Sequence, residues 1–291
     1  MKRVITVLLL LLATSVMISV LLALSSMTQN CPISTVPKVE NDYSSWGDHN
    51  LAVIVPFRDR FEELLKFVPY MHSFLNEQKI KHNIYVINQV DRLRFNRASL
   101  INVGHLLSRD VCDYLAMHDV DLLPLNPKLS YSYPEKGPFH IASPELHPKY
   151  HYSTFVGGIL LLTKEQFELV NGLSNRYWGW GLEDDEFFAR MKDAKLIVSR
   201  PQNIDTGIHD TFSHLHDRSV RRRDTARLFN QKDATRKRDR VTGLADVKYE
   251  LVSIQHITID SAPIILYNVK LICNHTLTPW CDAKGASSKK S

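Results

Sequence analysis

Three short apolar runs, separated by two stretches of helical spacing, constrain the fold of this chain more than any other feature. LAVIVPF (51–57), HNIYVINQ (82–89) and DYLAMHDVDLL (113–123) read as strands. Between them, RFEELLKFVPYMHSFLNEQ (60–78) and FNRASLINVGHLLSRD (95–110) space their apolar residues as helices do, with Pro69 a candidate kink in the first. Strand, helix, strand, helix, strand predicts a parallel α/β sheet with right-handed crossovers. Such sheets bind their ligands at the carboxyl ends of the strands.

The second half is less regular. FHIASPE (139–145), TFVGGILLL (154–162) and LIVSR (196–200) read as strands, and KEQFELVNGL (164–173) and DDEFFARMKDAK (184–195) as helices. The last has acids in its first turn and lysines later, which suits the helix dipole. Arg218 to Arg240 is rich in Arg and Lys with interspersed Asp and reads as a solvated helix or loop. No aromatic stacking platform accompanies these charges, so a nucleic-acid partner is not expected.

Ahead of the globular pattern, Met1-Lys2-Arg3 precedes VITVLLLLLATSVMISVLLAL (4–24), which holds no charge. A span of about 20 apolar residues crosses a bilayer, whereas a cleaved signal core is usually about 7–15. The expected organisation is a cytoplasmic tail (1–3), a transmembrane signal anchor (4–25), a stem (26–50), a luminal domain (51–282) and a flexible tail (283–291). A luminal location permits disulfides. Cys273 and Cys281 are close and late in the chain and are expected to pair. Cys31 is in the stem, open to an intermolecular bridge, and Cys112 abuts a strand as a packed thiol. Asn274-His275-Thr276 is a glycosylation acceptor if luminal. The net charge of +5 excludes no class of partner.

No glycine-rich phosphate loop follows the first strand, so a bound nucleotide needs something other than backbone amides against its phosphates. Asp119-Val120-Asp121 ends the third strand, where i and i+2 share a face. Two carboxylates there repel unless a cation joins them, and a hard divalent metal would bridge to phosphate. D-x-D alone is common and is also a plain polar strand end. His214-Leu215-His216 repeats the spacing; two imidazoles and a carboxylate suit Mn²⁺, while the H-E-x-x-H of zinc hydrolases is missing. The third piece is WGWGLEDDEF (178–187). Tryptophan faces stack on sugar rings, and a carboxylate in a first helical turn can serve as a base toward an acceptor hydroxyl. Trp178 reads as core, and Trp180, between Gly179 and Gly181, as a lid able to swing over a donor.

PFRDR (56–60), FNRASLINVG (95–104), HDVDLLP (118–124), FVGGILLL (155–162), WGWGLEDDEF and HLHD (214–217) run in one order over about residues 51–250. In this the chain resembles the beta-1,4-galactosyltransferase family of Golgi type II membrane enzymes. The resemblance implies a Rossmann-like nucleotide-sugar fold of the GT-A type and inverting transfer of galactose from UDP-galactose with Mn²⁺. HLHD is similar to the branch of the family that adds galactose to the 4-hydroxyl of xylose on proteoglycan core proteins, in the glycosaminoglycan linkage region. Carried over to matching positions, Pro56, Phe57, Arg58, Arg60, Phe95, Asn96 and Arg97 contact the donor, with Val120 beside the nucleotide. Asp121, His214 and His216 hold the metal. Tyr150 lies near the donor or acceptor sugar, and Trp180 closes over the donor. Leu182, Glu183, Asp184, Asp185 and Arg223 border the acceptor, with Asp184 the catalytic base. Leu182 departs from the family, where a larger polar or basic residue is expected, so a side-chain contact from it to the acceptor is not carried over.

The other readings are transfer to N-acetylglucosamine in the same fold, a glycosidase, and a membrane-anchored lectin. A glycosidase uses paired carboxylates but has no need of a metal triad. A lectin needs neither a base nor charge against a diphosphate.

Overall fold

The computed structural model describes residues 46–216 and 221–283, together with Thr14 and Met17. The expected tail, anchor and most of the stem, Cys31, Asp217 and residues 284–291 lie outside the described residues. The described residues from 46 onward belong to one compact unit.

Strand β1 (Asn50–Phe57) is buried from Leu51 onward and runs into helix α1 (Phe61–Glu77), which carries Pro69 in its interior. β2 (Lys81–Gln89), helix α2 (Arg97–Ser108) and β3 (Tyr114–His118) complete the expected alternation. β1 pairs in parallel with both β2 and β3. Successive β1 side chains serve opposite layers. Leu51, Val53 and Val55 join Leu64, Phe67 and Met71 of α1, while Ala52 and Ile54 join Leu100, Ile101 and Val103 of α2. Being buried on both faces is why this strand is a continuous apolar run.

The run predicted as one strand from 113 to 123 is broken. β3 stops at His118; Asp119-Val120-Asp121 forms a turn, and β4 (Leu122–Pro124) leaves the main sheet. β5 (Phe139–His140) and β6 (Ile159–Thr163) are shorter than predicted, since 141–145 and 154–158 take no strand pairing. Helix α3 is Lys164–Leu169, opened by a Thr163/Gln166 capping box. Helix α4 is Glu183–Asp193. The predicted strand at 196–200 reduces to one bridge, Ser199 with Phe139. β7 (Phe212–His214) pairs antiparallel with β4. Finally β8 (Tyr249–Ile259) and β9 (Ala262–Leu271) form an antiparallel hairpin whose β9 lies parallel to β2.

The main sheet is therefore mixed, in the order β5-β6-β3-β1-β2-β9-β8. Its parallel centre is as predicted, and antiparallel strands extend both sides. β8 ends the sheet, with Leu251, Val252 and Ile254 at 40–49% exposure. Beyond β9, Cys273 and Cys281 are joined as expected, so the Cys273–His275–Cys281 grouping is spent on a disulfide rather than on a metal. Asn274 is exposed between them. Cys112 is buried and free, beside the Tyr85 hydroxyl.

Candidate active site

The carboxyl ends of β1 and β3 open into a cavity of about 520 Å³. The β4–β7 ladder builds one wall of it. Leu122 faces His214 across that ladder, and Leu215 donates its amide to the Asp121 carbonyl at 2.8 Å. Two segments more than ninety residues apart in sequence are thereby fixed side by side. Asp121 Oδ2 lies 3.5 Å from His216 Nδ1, and the His214 and His216 rings stand 5.9 Å apart.

The carboxylates of the turn do not share one partner as the strand reading expected. Asp119 accepts from Arg97 Nε at 2.7 Å, whereas Asp121 pairs with His216. Burial, then the Asp119 carboxylate, raises Asp121 to about 6, against the pull of Arg60 and Arg223. Burial, then the Lys149 ammonium, lowers His214 to about 4, so its imidazole is neutral at physiological pH. A poorly solvated carboxylate beside two imidazoles, one of them held neutral, is a donor set that fits Mn²⁺. Lys149 Nζ lies 2.9 Å from His214 Nδ1 and Arg60 donates to His216 Nδ1 at 2.8 Å, so protein cations already face this cluster.

The opposite wall is the start of α4. Leu182 precedes it in a left-handed conformation, φ 76°, and its side chain caps nothing. Glu183, Asp184 and Asp185 follow in the first turn. Loss of solvent, then the carboxylates of Glu183 and Asp185, push Asp184 up to about 8. Gly157 makes room for this acid: a Cβ there would lie 2.8 Å from Asp184 Oδ2. Glu183 is also raised by burial, opposed by Arg97, whose guanidinium stands 4.0 Å away. Arg97 thus lies between the metal-side turn and the acids of α4.

Trp178 is buried in the core, as expected, and Trp180 is 41% exposed and lines the cavity. The Arg223 guanidinium stacks 4.7 Å above the Trp180 ring and donates to the Tyr150 hydroxyl at 2.5 Å. Pro56, Arg58, Phe95 and Val120 also line the cavity. Arg58 spends its donors on carbonyls of Gln89, Asp91 and Leu93, so it shapes the donor side as a brace. Two expected donor residues do not reach the cavity. Phe57 is buried in the core. Asn96 is fully buried, caps α2 by accepting from Ser99 at 2.9 Å, and donates to the Asn175 carbonyl. Its type suits an N-cap, a role legible from its place before an apolar helix.

Tyr152 and His147 were not singled out from the sequence, yet both line the cavity. The Tyr152 hydroxyl bonds Asp185 and opposes the rise that burial gives that acid. Burial, then the His214 imidazole, lowers His147 to about 3, and its Nδ1 accepts the amides of Lys149 and Tyr150. Tyr152 is an i+2 neighbour of Tyr150, a spacing that could have flagged it; His147 carried no signal.

A parallel α/β centre whose carboxyl end gathers a carboxylate–imidazole cluster, a half-buried acid and an exposed tryptophan around one cavity fits a metal-assisted glycosyltransferase. The family described as the N-terminal region of glycosyl transferase group 7 matches residues 14–134, and that described as the N-terminal domain of galactosyltransferase matches 137–216. The chain belongs to the beta-1,4-galactosyltransferase family. It is 60% identical over 244 residues to beta-1,4-galactosyltransferase 7 of Drosophila melanogaster, covering 84% of this chain and 76% of the relative. It is 49% identical to xylosylprotein 4-beta-galactosyltransferase of Caenorhabditis elegans over 237 residues, 80% of this chain and 82% of that one. The crystal structure of the Drosophila catalytic domain in complex with xylobiose superposes with a TM-score of 0.80 at 61% identity, over 81% of this chain and 99% of that one. A mutant of the same enzyme in complex with manganese, UDP-Gal and xylobiose agrees equally well, with a TM-score of 0.80.

Proposed function

We propose that this chain transfers galactose from UDP-galactose to the 4-hydroxyl of xylose on proteoglycan core proteins, with Mn²⁺ and with inversion at the anomeric carbon. The observation that carries this reading is Asp184. It is a carboxyl raised to about 8, in the first turn of α4, lining the same cavity as Trp180 and the Asp121–His216 pair. A group so poised takes a proton from an acceptor hydroxyl as the new bond forms. Glu183 and Asp185 have oxygens placed for sugar hydroxyls, and Asp185 is oriented by Tyr152. Attack from the face opposite the leaving group inverts an α-linked donor, and no enzyme nucleophile is required. Asp121, His214 and His216 would hold Mn²⁺, which supplies positive charge against the departing diphosphate. Arg60 and Arg223 add fixed charge nearby, and Trp180 keeps water from the donor.

On this reading residues 4–25 anchor the enzyme in the Golgi membrane with its GT-A type domain in the lumen, where Asn274 can carry a glycan. The relatives' xylobiose complexes and their xylosylprotein name support xylose over N-acetylglucosamine as acceptor.

The purified full chain, given Mn²⁺ and UDP-galactose, is expected to galactosylate a β-xyloside and to lose that activity with EDTA. Transfer to N-acetylglucosamine in preference to xyloside would overturn the acceptor assignment, and activity indifferent to EDTA would overturn the metal.

A further inference from the structure

The tryptophan over the site is held by a residue outside it. Arg94 lies between β2 and α2 and is buried. Its guanidinium spends all five N–H groups. Two go to the Asp224 carboxylate, at 2.6 and 2.9 Å, and one to the Ala226 carbonyl at 2.8 Å. The others reach Gln231 Oε1 at 2.8 Å and the Trp280 carbonyl at 3.1 Å.

Two of these partners continue to the tryptophan stretch. The Asp224 carbonyl accepts the Trp180 amide at 2.8 Å, and Gln231 Nε2 donates to the Trp178 carbonyl at 2.8 Å. The guanidinium also fills the space beside residue 179, where a Cβ would lie 2.1 Å from its Nη2. Gly179, at φ +86°, is thus a glycine because Arg94 is packed on it, not because it swings. Gly181, at φ +96°, is different: an added Cβ meets nothing nearer than the tip of Arg227, at 3.8 Å. Arg223, stacked on Trp180, is next to Asp224 in the segment that Arg94 ties down.

We propose that Arg94 is a positioning residue for the reaction. Through Asp224 and Gln231 it fixes the Trp180 backbone and the Arg223 segment together against the core, so that Trp180 is held ready-formed over the donor. This rests on the reading of Trp180 as the donor cover. Without the link, donor binding must order both Trp180 and the Arg223 segment, and water reaches the bound donor more often.

Asp224 is at the rim of the cavity, its side chain 40% exposed, so Asp224→Ala cuts the link without opening the core. Arg94→Lys keeps the charge and loses the fork. In Asp224→Ala the KM for UDP-galactose is expected to rise about tenfold, the worth of one charge-assisted bond. The ratio of donor hydrolysed to donor transferred is expected to rise with it, while Tm moves by only a few degrees. A second readout needs no turnover: acrylamide quenching of Trp180 emission, isolated by subtracting the Trp180→Phe protein. It is expected to increase in both Asp224→Ala and Arg94→Lys. Unchanged quenching in both variants overturns the proposal whatever happens to Tm, because Arg94 then serves stability alone. If the unaltered chain transfers no galactose, the transferase reading fails and quenching still decides the role of Arg94.

Discussion

At the scale of single residues, Asp184 concentrates the chemistry. As a base it works ionised, so with its carboxyl near 8 the free enzyme's kcat/KM is expected to climb with pH and level off above that value. Asp184→Asn should cut kcat by about 10²–10⁴-fold and flatten the profile. The same group bears on stability. Its folded value lies above the usual carboxylate range, so the native state holds a proton the unfolded chain gives up. Its contribution is full below about 4 and is lost as pH rises through about 8. Asp184→Asn should therefore raise Tm at pH 8 more than at pH 4, a shift that thermal melts at the two pH values would read directly. Much at this scale was legible. The acids, the histidines and the division between Trp178 and Trp180 follow from residue type and spacing. What was not legible is commitment. Arg58 is of a type that could meet a diphosphate and is consumed by the carbonyls of Gln89, Asp91 and Leu93, because backbone groups more than thirty residues away claim it first.

Among the elements, α4 carries an evident strain. Its preceding residue, Leu182, holds φ 76° with no side-chain bond in return. A left-handed conformation costs a non-glycine residue about 1–2 kcal/mol, so Leu182→Gly should stabilise the fold by about 1 kcal/mol. A denaturant melt of that variant would show a higher midpoint; a lower one would mean that the leucine's contacts outweigh the strain. The element scale is also where sequence reading failed most. Asp119-Val120-Asp121 follows an apolar strand without a break, yet it is a turn, and only the β4–β7 ladder, a pairing between distant segments, reveals why. The β8–β9 hairpin went unread because its turn, Asp260-Ser261, takes φ 46° and 70° without the glycine or asparagine that usually marks such a turn. The parallel centre was legible because double-sided burial leaves a continuous apolar run, whereas strands paired on one side leave none.

At the scale of the whole sheet, the chemistry lies at the carboxyl ends of central strands and the least protected backbone on the edge strand β8. β3, near the site, is covered on both sides, but β8 closes the sheet with eleven residues of which Glu250 is the one acid and none is Lys, Arg or Pro. Natural edge strands usually carry a lysine, a proline or a cover that discourages pairing with another chain. Leu251, Val252 and Ile254 stand exposed there instead, with a single irregularity at 251–253 to disturb the ladder. The consequence is colloidal rather than catalytic. Concentrated solutions of this protein should lose material by strand-to-strand association at β8 while the dilute enzyme keeps its turnover. Ile254→Lys should raise the concentration at which light scattering begins and leave the donor and acceptor constants as they were. In a cell, the ceiling on how much of this enzyme one compartment can hold would then be set by a strand that never meets a sugar.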